Sequence, residues 1–181
     1  DKFACGQPGI QLKILTIANF VTRKRIDLCA LACRELEKKL GLREVKWTVI
    51  GRGPKEDEIK SLAPLSMKFI PKAPGLKDFY KAADVFVLPS RDEGFGMVYI
   101  ESIMCGCPVI CRKDDGGQEI VDTTGGGIAV EIPKSDEQAV RNIIGAIDRI
   151  MANRSQYAND RTKALAAAMV NPDKIKKQWA D

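Results

Sequence analysis

Six short runs rich in apolar residues recur along this chain, at Gln11–Ala18, Val45–Ile50, Met67–Ile70, Asp84–Leu88, Pro108–Cys111 and Gly127–Ile132, and helical patterns fill most of the intervals between them. This alternation constrains the fold more than any other feature. A strand, a helix and a second strand in one sheet make a parallel pair, because the crossover must carry the chain back to its starting end. Runs such as Val85–Leu88 are apolar throughout, without the alternation that marks a sheet with one face in water. The fold class that follows is α/β: a doubly wound, Rossmann-like parallel sheet of about six strands, covered by helices on both faces.

The intervals carry helix punctuation. Lys24–Leu40 places Leu28, Ala32, Leu36 and Leu40 on one face, and Gly41 supplies a stop. A later helix begins at Ser135, with Gln138 completing a capping-box spacing, and aligns Val140, Ile143, Ile144, Ile147 and Met151. Tyr157–Met169 and Pro172–Trp179 read as terminal helices outside the alternation.

Composition narrows the chemistry. At 181 residues, with 45% hydrophobic and 29% charged, the chain can bury an adequate core. It has no histidine, so a histidine base, a serine–histidine triad or a histidine-ligated metal cannot come from this sequence. No run approaches the ~20 apolar residues of a membrane span. Asp1–Gly9 lacks the form of a secretory signal, which leads us to expect a cytoplasmic protein with free thiols at its six cysteines. Cys29 with Cys33, and Cys105 with Cys107, lack the further ligands of a metal site and are expected to pack in the core, so no metal is expected. The net charge of +5 is mild, and without a zinc-finger spacing, an aromatic RNA-binding signature or a long basic run, nucleic acid is not an expected partner. The cluster Lys174, Lys176 and Lys177 reads as a solvated face, with membrane docking as its other reading.

In the usual doubly wound strand order, the connections after strands 1 and 4 leave in opposite directions and open a ligand crevice. Those two loops are also the least ordinary in the chain. The first, Asn19 to Arg25, puts Arg23, Lys24 and Arg25 in the opening turn of a helix, where the dipole disfavours each cation by ~0.3–1 kcal/mol. A bound phosphate or diphosphate would resolve that conflict; solvated side chains would merely tolerate it. The second, Pro89 to Gly96, precedes the short helix Met97–Cys105, expected to be buried, in which Glu101 is the only charged residue. A carboxylate there needs donors, which a ribose diol, a neighbouring backbone or a lysine could supply. Gly94 and Gly96 permit close ligand approach or a plain tight turn, and Glu93 accepts sugar hydroxyls or simply opposes the helix dipole. Gly51-Arg52-Gly53-Pro54 is expected to open a helix with Pro54 near its first turn, as a second anion-facing terminus or a plain structural turn. Asp114–Glu119 is within reach of the crevice, and Gly125–Gly127 reads as a flexible turn.

Ala83–Ser90, then Glu93-Gly94-Phe95-Gly96, Glu101, Gly106, Pro108–Ile110 and Gly116-Gly117, resemble the donor-binding half of retaining glycosyltransferases of family 4. The core of the likeness is E-G-F-G-x-x-x-x-E, two glutamates separated by seven residues. Ile14–Asp27 resembles the family's first strand and its G-R-L-x-x-x-K-G loop, and Val49–Pro54 its G-x-G-P turn. The resemblance implies one half of a GT-B fold: residues 1–9 ending an interdomain segment, as Asp1-Lys2-Phe3 resembles, 10–153 forming the nucleotide-sugar-binding domain, and 154–181 C-terminal helices. It implies Lys24 on the donor diphosphate, Glu93 on the transferred sugar, Glu101 on the ribose, the backbone of Gly94, Phe95, Gly96, Met97 and Val98 around sugar and phosphates, and Ile70 with Pro71 near the base. Asn19 and Gly51 complete the implied donor site, and Lys24 with Glu93 carries the chemistry.

The implied partners are a nucleotide-sugar donor and an N-terminal acceptor domain outside this chain, with peripheral contact of the parent protein at the inner membrane face left open. No cofactor is implied, since Lys24 takes the place of a divalent ion. The expected reaction moves a hexose to a saccharide or lipid-linked acceptor. The chain departs from the family pattern at Ala18-Asn19, where a glycine-arginine pair is usual; Arg23 or Arg25 is left to compensate. Pro71 also replaces a common glycine. A non-catalytic nucleotide or sugar-phosphate binding module is the alternative, and a sugar-nucleotide epimerase a third reading disfavoured by the E-G-F-G-x-x-x-x-E arrangement.

Overall fold

A computed structural model describes residues 11–170. Six strands, β1 (Leu12–Ile17), β2 (Val45–Ile50), β3 (Met67–Ile70), β4 (Val85–Leu88), β5 (Val109–Arg112) and β6 (Gly127–Val130), form one sheet in the order β3-β2-β1-β4-β5-β6, and every pair is parallel. The helices are α1 (Ile26–Leu40), α2 (Glu56–Leu62), α3 (Lys77–Ala82), α4 (Met97–Met104), α5 (Gly116–Thr124), α6 (Asp136–Ala152), α7 (Arg154–Tyr157) and α8 (Asp160–Met169). Contacts join α1 with α2 and α6, and separately join α4 with α3, α5 and α8, giving a helical layer on each face. The doubly wound architecture expected from the sequence is the one observed.

The central strands are buried on both faces, as their continuous apolar runs require: all four residues of β4 are buried. Within this core Thr16 Oγ1 donates to the carbonyl of Val87 at 2.9 Å and accepts from Trp47 Nε1 at 3.0 Å. One hydroxyl thereby satisfies an indole and a carbonyl that burial would otherwise leave unpaired, and it ties β2 and β4 to the strand between them.

Several local expectations need correction. The first helix starts at Ile26, because Arg25 is left-handed at φ 49° and breaks it from a 3-10 turn over Thr22–Lys24. The three cations therefore do not share one helical opening turn. The α6 cap is half a capping box: Ser135 accepts from Gln138 N, but the Gln138 side chain donates to Asn142 instead of reaching back. The segment after Pro54 becomes helical only at Glu56. Helix α4 is buried on one face, with Met97 and Met104 exposed on the other. Gly126 and Gly127, the latter already in β6, are tightly packed, since a Cβ would stand 2.6 Å from Ile103 and 2.2 Å from the carbonyl of Val109. The expected helix Tyr157–Met169 starts later, as α8 at Asp160, and Tyr157 instead ends the separate α7. The expectations at Asp1–Gly9, at Pro172–Trp179 and at Lys174, Lys176 and Lys177 lie outside the described residues.

Candidate functional site

The loops after β1 and β4 meet, as the strand order requires, at the carboxyl ends of the central strands. Arg91 N donates to the carbonyl of Arg23 at 2.7 Å, and Arg23 Nη1 to the carbonyl of Asp92 at 3.3 Å. The left-handed backbone at Arg25 turns consecutive side chains apart. Lys24 points into the molecule, while Arg25 bonds Asp27 and reaches Asp136 at 2.6 Å. The cation conflict foreseen at the helix start is thus relieved by acidic side chains, and Arg25 is not placed to replace the arginine missing at Asn19.

Lys24 is 8% exposed and its ammonium pairs with Glu93 Oε2. The same oxygen accepts from Ser90 Oγ at 2.8 Å. Tyr99 donates to the carbonyl of Leu88 at 2.7 Å and lies 3.1 Å from Ser90 Oγ. The Ser90 proton is committed to the carboxylate, so the Tyr99 proton is shared between the carbonyl and the serine oxygen. Burial holds the Tyr99 hydroxyl well above its ordinary pKa, keeping it a donor. The Glu93 main chain is fixed as well: Asp115 Oδ1 accepts from Glu93 N at 2.8 Å and from Gly116 N at 2.7 Å. Gly116 sits so close to this loop that a Cβ would lie 2.4 Å from the carbonyls of both Glu93 and Gly94. The anchoring role of Asp115 was not read from sequence; its only signal there was an acidic residue ahead of a Gly-Gly helix start.

These groups open on a cleft of about 580 Å³. From the first two loops, Asn19, Arg23, Lys24 and Gly51 line it. Gly51 approaches the β1 loop so closely that a Cβ would stand 1.9 Å from the Ala18 carbonyl. From the loop after β3 come Pro71, Lys72 and Leu76. Glu93, Phe95, Gly96, Met97 and Val98 complete the opposite wall. Helix α4 begins there without a side-chain cap, so its first N–H groups face the cleft unmatched by any side-chain acceptor. Arg23, Lys24 and Lys72 against Glu93 give the lining a net positive balance. Such a wall favours an anion.

Three residues expected at the donor site do not line this cleft. The Ile70 carbonyl accepts from Gly51 N at 3.0 Å within the loop scaffold. Gly94 is exposed beside Gly116. Glu101 lies one helical turn beyond Met97 and Val98, half-buried, and its Oε2 accepts from the Tyr80 hydroxyl at 3.1 Å. The donor foreseen as a backbone group or a lysine is therefore a tyrosine. Lys72, which the sequence did not single out, lines the cleft instead.

The sequence model of glycosyl transferases group 1 matches residues 2–164. The chain belongs to that family. It is 26% identical over 186 residues to the putative colanic acid biosynthesis glycosyltransferase WcaL of Salmonella typhimurium, covering 96% of this chain and 45% of that protein. It thus spans less than half the length of that curated relative. Among solved structures it resembles the pneumococcal O-GlcNAc transferase GtfA, in complex with UDP and GlcNAc, with a TM-score of 0.78 at 19% identity, over 98% of this chain and 37% of that one. The C-terminal domain of a glycosyl transferase group 1 protein, LpcC, from Francisella tularensis superimposes with a TM-score of 0.69 at 23% identity, over 90% of this chain and 89% of that one. These likenesses establish a GT-B-type Rossmann-like fold for this group 1 chain. No helix among the described residues is long and apolar enough to cross a membrane.

Proposed function

We propose that this group 1 chain is the donor-binding half of a retaining hexosyltransferase, which moves a hexose from a nucleotide diphosphate sugar to a saccharide or lipid-linked acceptor. The observation that carries the reading is the buried Lys24–Glu93 pair in a cleft whose other charged lining residues, Arg23 and Lys72, are cationic and which an uncapped helix start faces. Without donor, Glu93 neutralises Lys24. An arriving diphosphate offers Lys24 a second anionic partner, which loosens Glu93 and lets its carboxylate accept sugar hydroxyls.

As the glycosidic bond breaks, charge accumulates on the leaving diphosphate. Lys24, Arg23 and the first N–H groups of α4 stabilise that charge more than the ground state. The reaction on this reading needs no metal, because Lys24 supplies the positive charge. Glu93 orients the sugar and Glu101 holds the ribose. The acceptor belongs to an N-terminal half, with residues 10–153 as the nucleotide-sugar domain and α7 and α8 appended to it. The work is cytoplasmic, with peripheral contact to the inner membrane face needed only for a lipid-linked acceptor. Support for a uridine nucleotide comes from solved relatives: GtfA with UDP and GlcNAc, and the Anabaena protein HepE with UDP and glucose.

Titration calorimetry of this chain with UDP, GDP and ADP sugars tests the binding half of the reading. Turnover of the bound donor by the chain joined to its natural N-terminal half tests the rest. Binding without hydrolysis or transfer would favour a nucleotide or sugar-phosphate binding module, a reading that the absence of an arginine at Asn19 keeps open.

A further inference from the structure

We propose that Tyr80 is a positioning residue that sets the Glu101 carboxylate for a vicinal diol; the inference rests on the donor reading above and deepens it. Tyr80 is 1% exposed and reaches Glu101 from a different helix, α3, with a hydrogen bond of 3.1 Å. Burial first, and the Glu101 charge second, push the Tyr80 hydroxyl above its ordinary pKa, so it remains a donor throughout the neutral range. It therefore occupies one oxygen of the carboxylate permanently. A carboxylate offers about four lone-pair sites, and one fixed donor leaves room for the two O–H groups of a diol.

The direction of approach fits. Side chains on a helix lean toward its N-terminus, and the N-terminus of α4 is the part that lines the cleft, through Gly96, Met97 and Val98. Glu101 stands one turn further along, so its carboxylate leans toward the cleft end while Tyr80 holds it from α3. Tyr80 itself cannot drift. Its ring packs on Phe86 at 5.8 Å between centroids, and Phe86 packs edge-on against Tyr99 at 5.9 Å. Tyr99 in turn meets Ser90, the donor to Glu93. Both glutamates of E-G-F-G-x-x-x-x-E thus connect to one buried aromatic trio, Tyr80–Phe86–Tyr99. Glu101 is held by its hydroxyl directly, and Glu93 through a serine.

The test uses this chain with UDP, GDP and ADP, each against its 2′,3′-dideoxy counterpart, in wild type, Tyr80→Phe and Glu101→Gln. Wild type should prefer the ribose form by about tenfold, and Tyr80→Phe should reduce that preference to about twofold while leaving the dideoxy affinity unchanged. Glu101→Gln should reduce the preference similarly. Undiminished ribose preference in Tyr80→Phe overturns the proposal, as does equal weakening of both ligand forms, or loss of the fold, since each makes the hydroxyl purely structural. A wild-type chain that binds none of the six ligands, or binds ribose and dideoxyribose forms alike, fails differently: it removes the donor reading itself and the proposal with it.

Discussion

The ammonium of Lys24 and the carboxylate of Glu93, 69 residues apart in sequence, form an ion pair with side chains only 10% and 15% exposed. Such a pair is held at the cost of desolvating both groups, and removing either one leaves the other without its partner. The two single variants should therefore diverge in binding while agreeing in stability. Lys24→Ala should weaken diphosphate binding by ~1.5–3 kcal/mol through loss of a charge-assisted hydrogen bond. Glu93→Gln should strengthen binding of the free nucleoside diphosphate by about 1 kcal/mol, because a competing negative charge is removed, yet abolish any preference for the sugar-bearing form. Both should lower the unfolding free energy. Calorimetric titration beside urea unfolding measures all five quantities; Glu93→Gln binding diphosphate more weakly would contradict the competition.

The three consecutive cations should prove unlike one another. Arg23 lines the cleft, whereas Arg25 bonds Asp27 and Asp136. Arg23→Ala should weaken diphosphate binding and make the remaining affinity less sensitive to salt, since one fewer exposed charge is being screened. Arg25→Ala should leave affinity within error and cost at most ~1 kcal/mol of stability, the usual range for a partly exposed pair. A salt series from low to high ionic strength on both variants decides the matter, and identical behaviour would dissolve the distinction.

The sequence spoke clearly about the sheet because apolar runs and helical spacing are local signals read over short windows. Strands β2 and β3 have the limits inferred for them, and the strand order is the usual doubly wound one that the reading assumed. What it could not convey were directions of side chains. Lys24 and Arg25 are adjacent and alike in charge, and a single left-handed residue sends them to different places. Tyr80 was not singled out by any motif or spacing. Its meeting with Glu101 depends on how α3 crosses α4, which no spacing encodes. The E-G-F-G-x-x-x-x-E stretch marked Glu93 and Glu101 together, but not that separate hydroxyls would hold them.

Asp115 offers a test of how the Glu93 loop is held. Its Oδ1 both caps α5 and accepts from Glu93 N. Asp115→Ala should cost ~1–2 kcal/mol of stability, since a cap is lost and the Glu93 N–H loses its acceptor. Asp115→Asn keeps an acceptor oxygen and should cost much less. Gly116→Ala should be the harshest of the three, because its methyl group would enter space 2.4 Å from two carbonyl oxygens that no rotamer can move. Thermal unfolding ranks the variants, and an order with Gly116→Ala mildest would mean that the loop relaxes freely.

Alkaline pH should destabilise this fold through its cysteines. The five described cysteines are free thiols, and burial pushes Cys29, Cys107 and Cys111 up to about 12 from an ordinary value of 9.0. In the unfolded chain these thiols ionise as pH passes their ordinary value, whereas in the folded protein they stay protonated. The folded state then binds more protons than the unfolded one, so the unfolding free energy falls as pH rises from about 9 toward 12 and is untouched by these groups below that window. Each such thiol contributes a slope approaching 1.4 kcal/mol per pH unit in the middle of the window. Tyr80 and Tyr99, raised for the same reason, steepen the upper part. Urea unfolding at pH 8, 9 and 10 under reducing conditions should show the decline, and Cys111→Ala should make it shallower by about one group's share whatever it does to stability at pH 8. A Cys111→Ala line parallel to wild type would show that this thiol reaches water in the folded state.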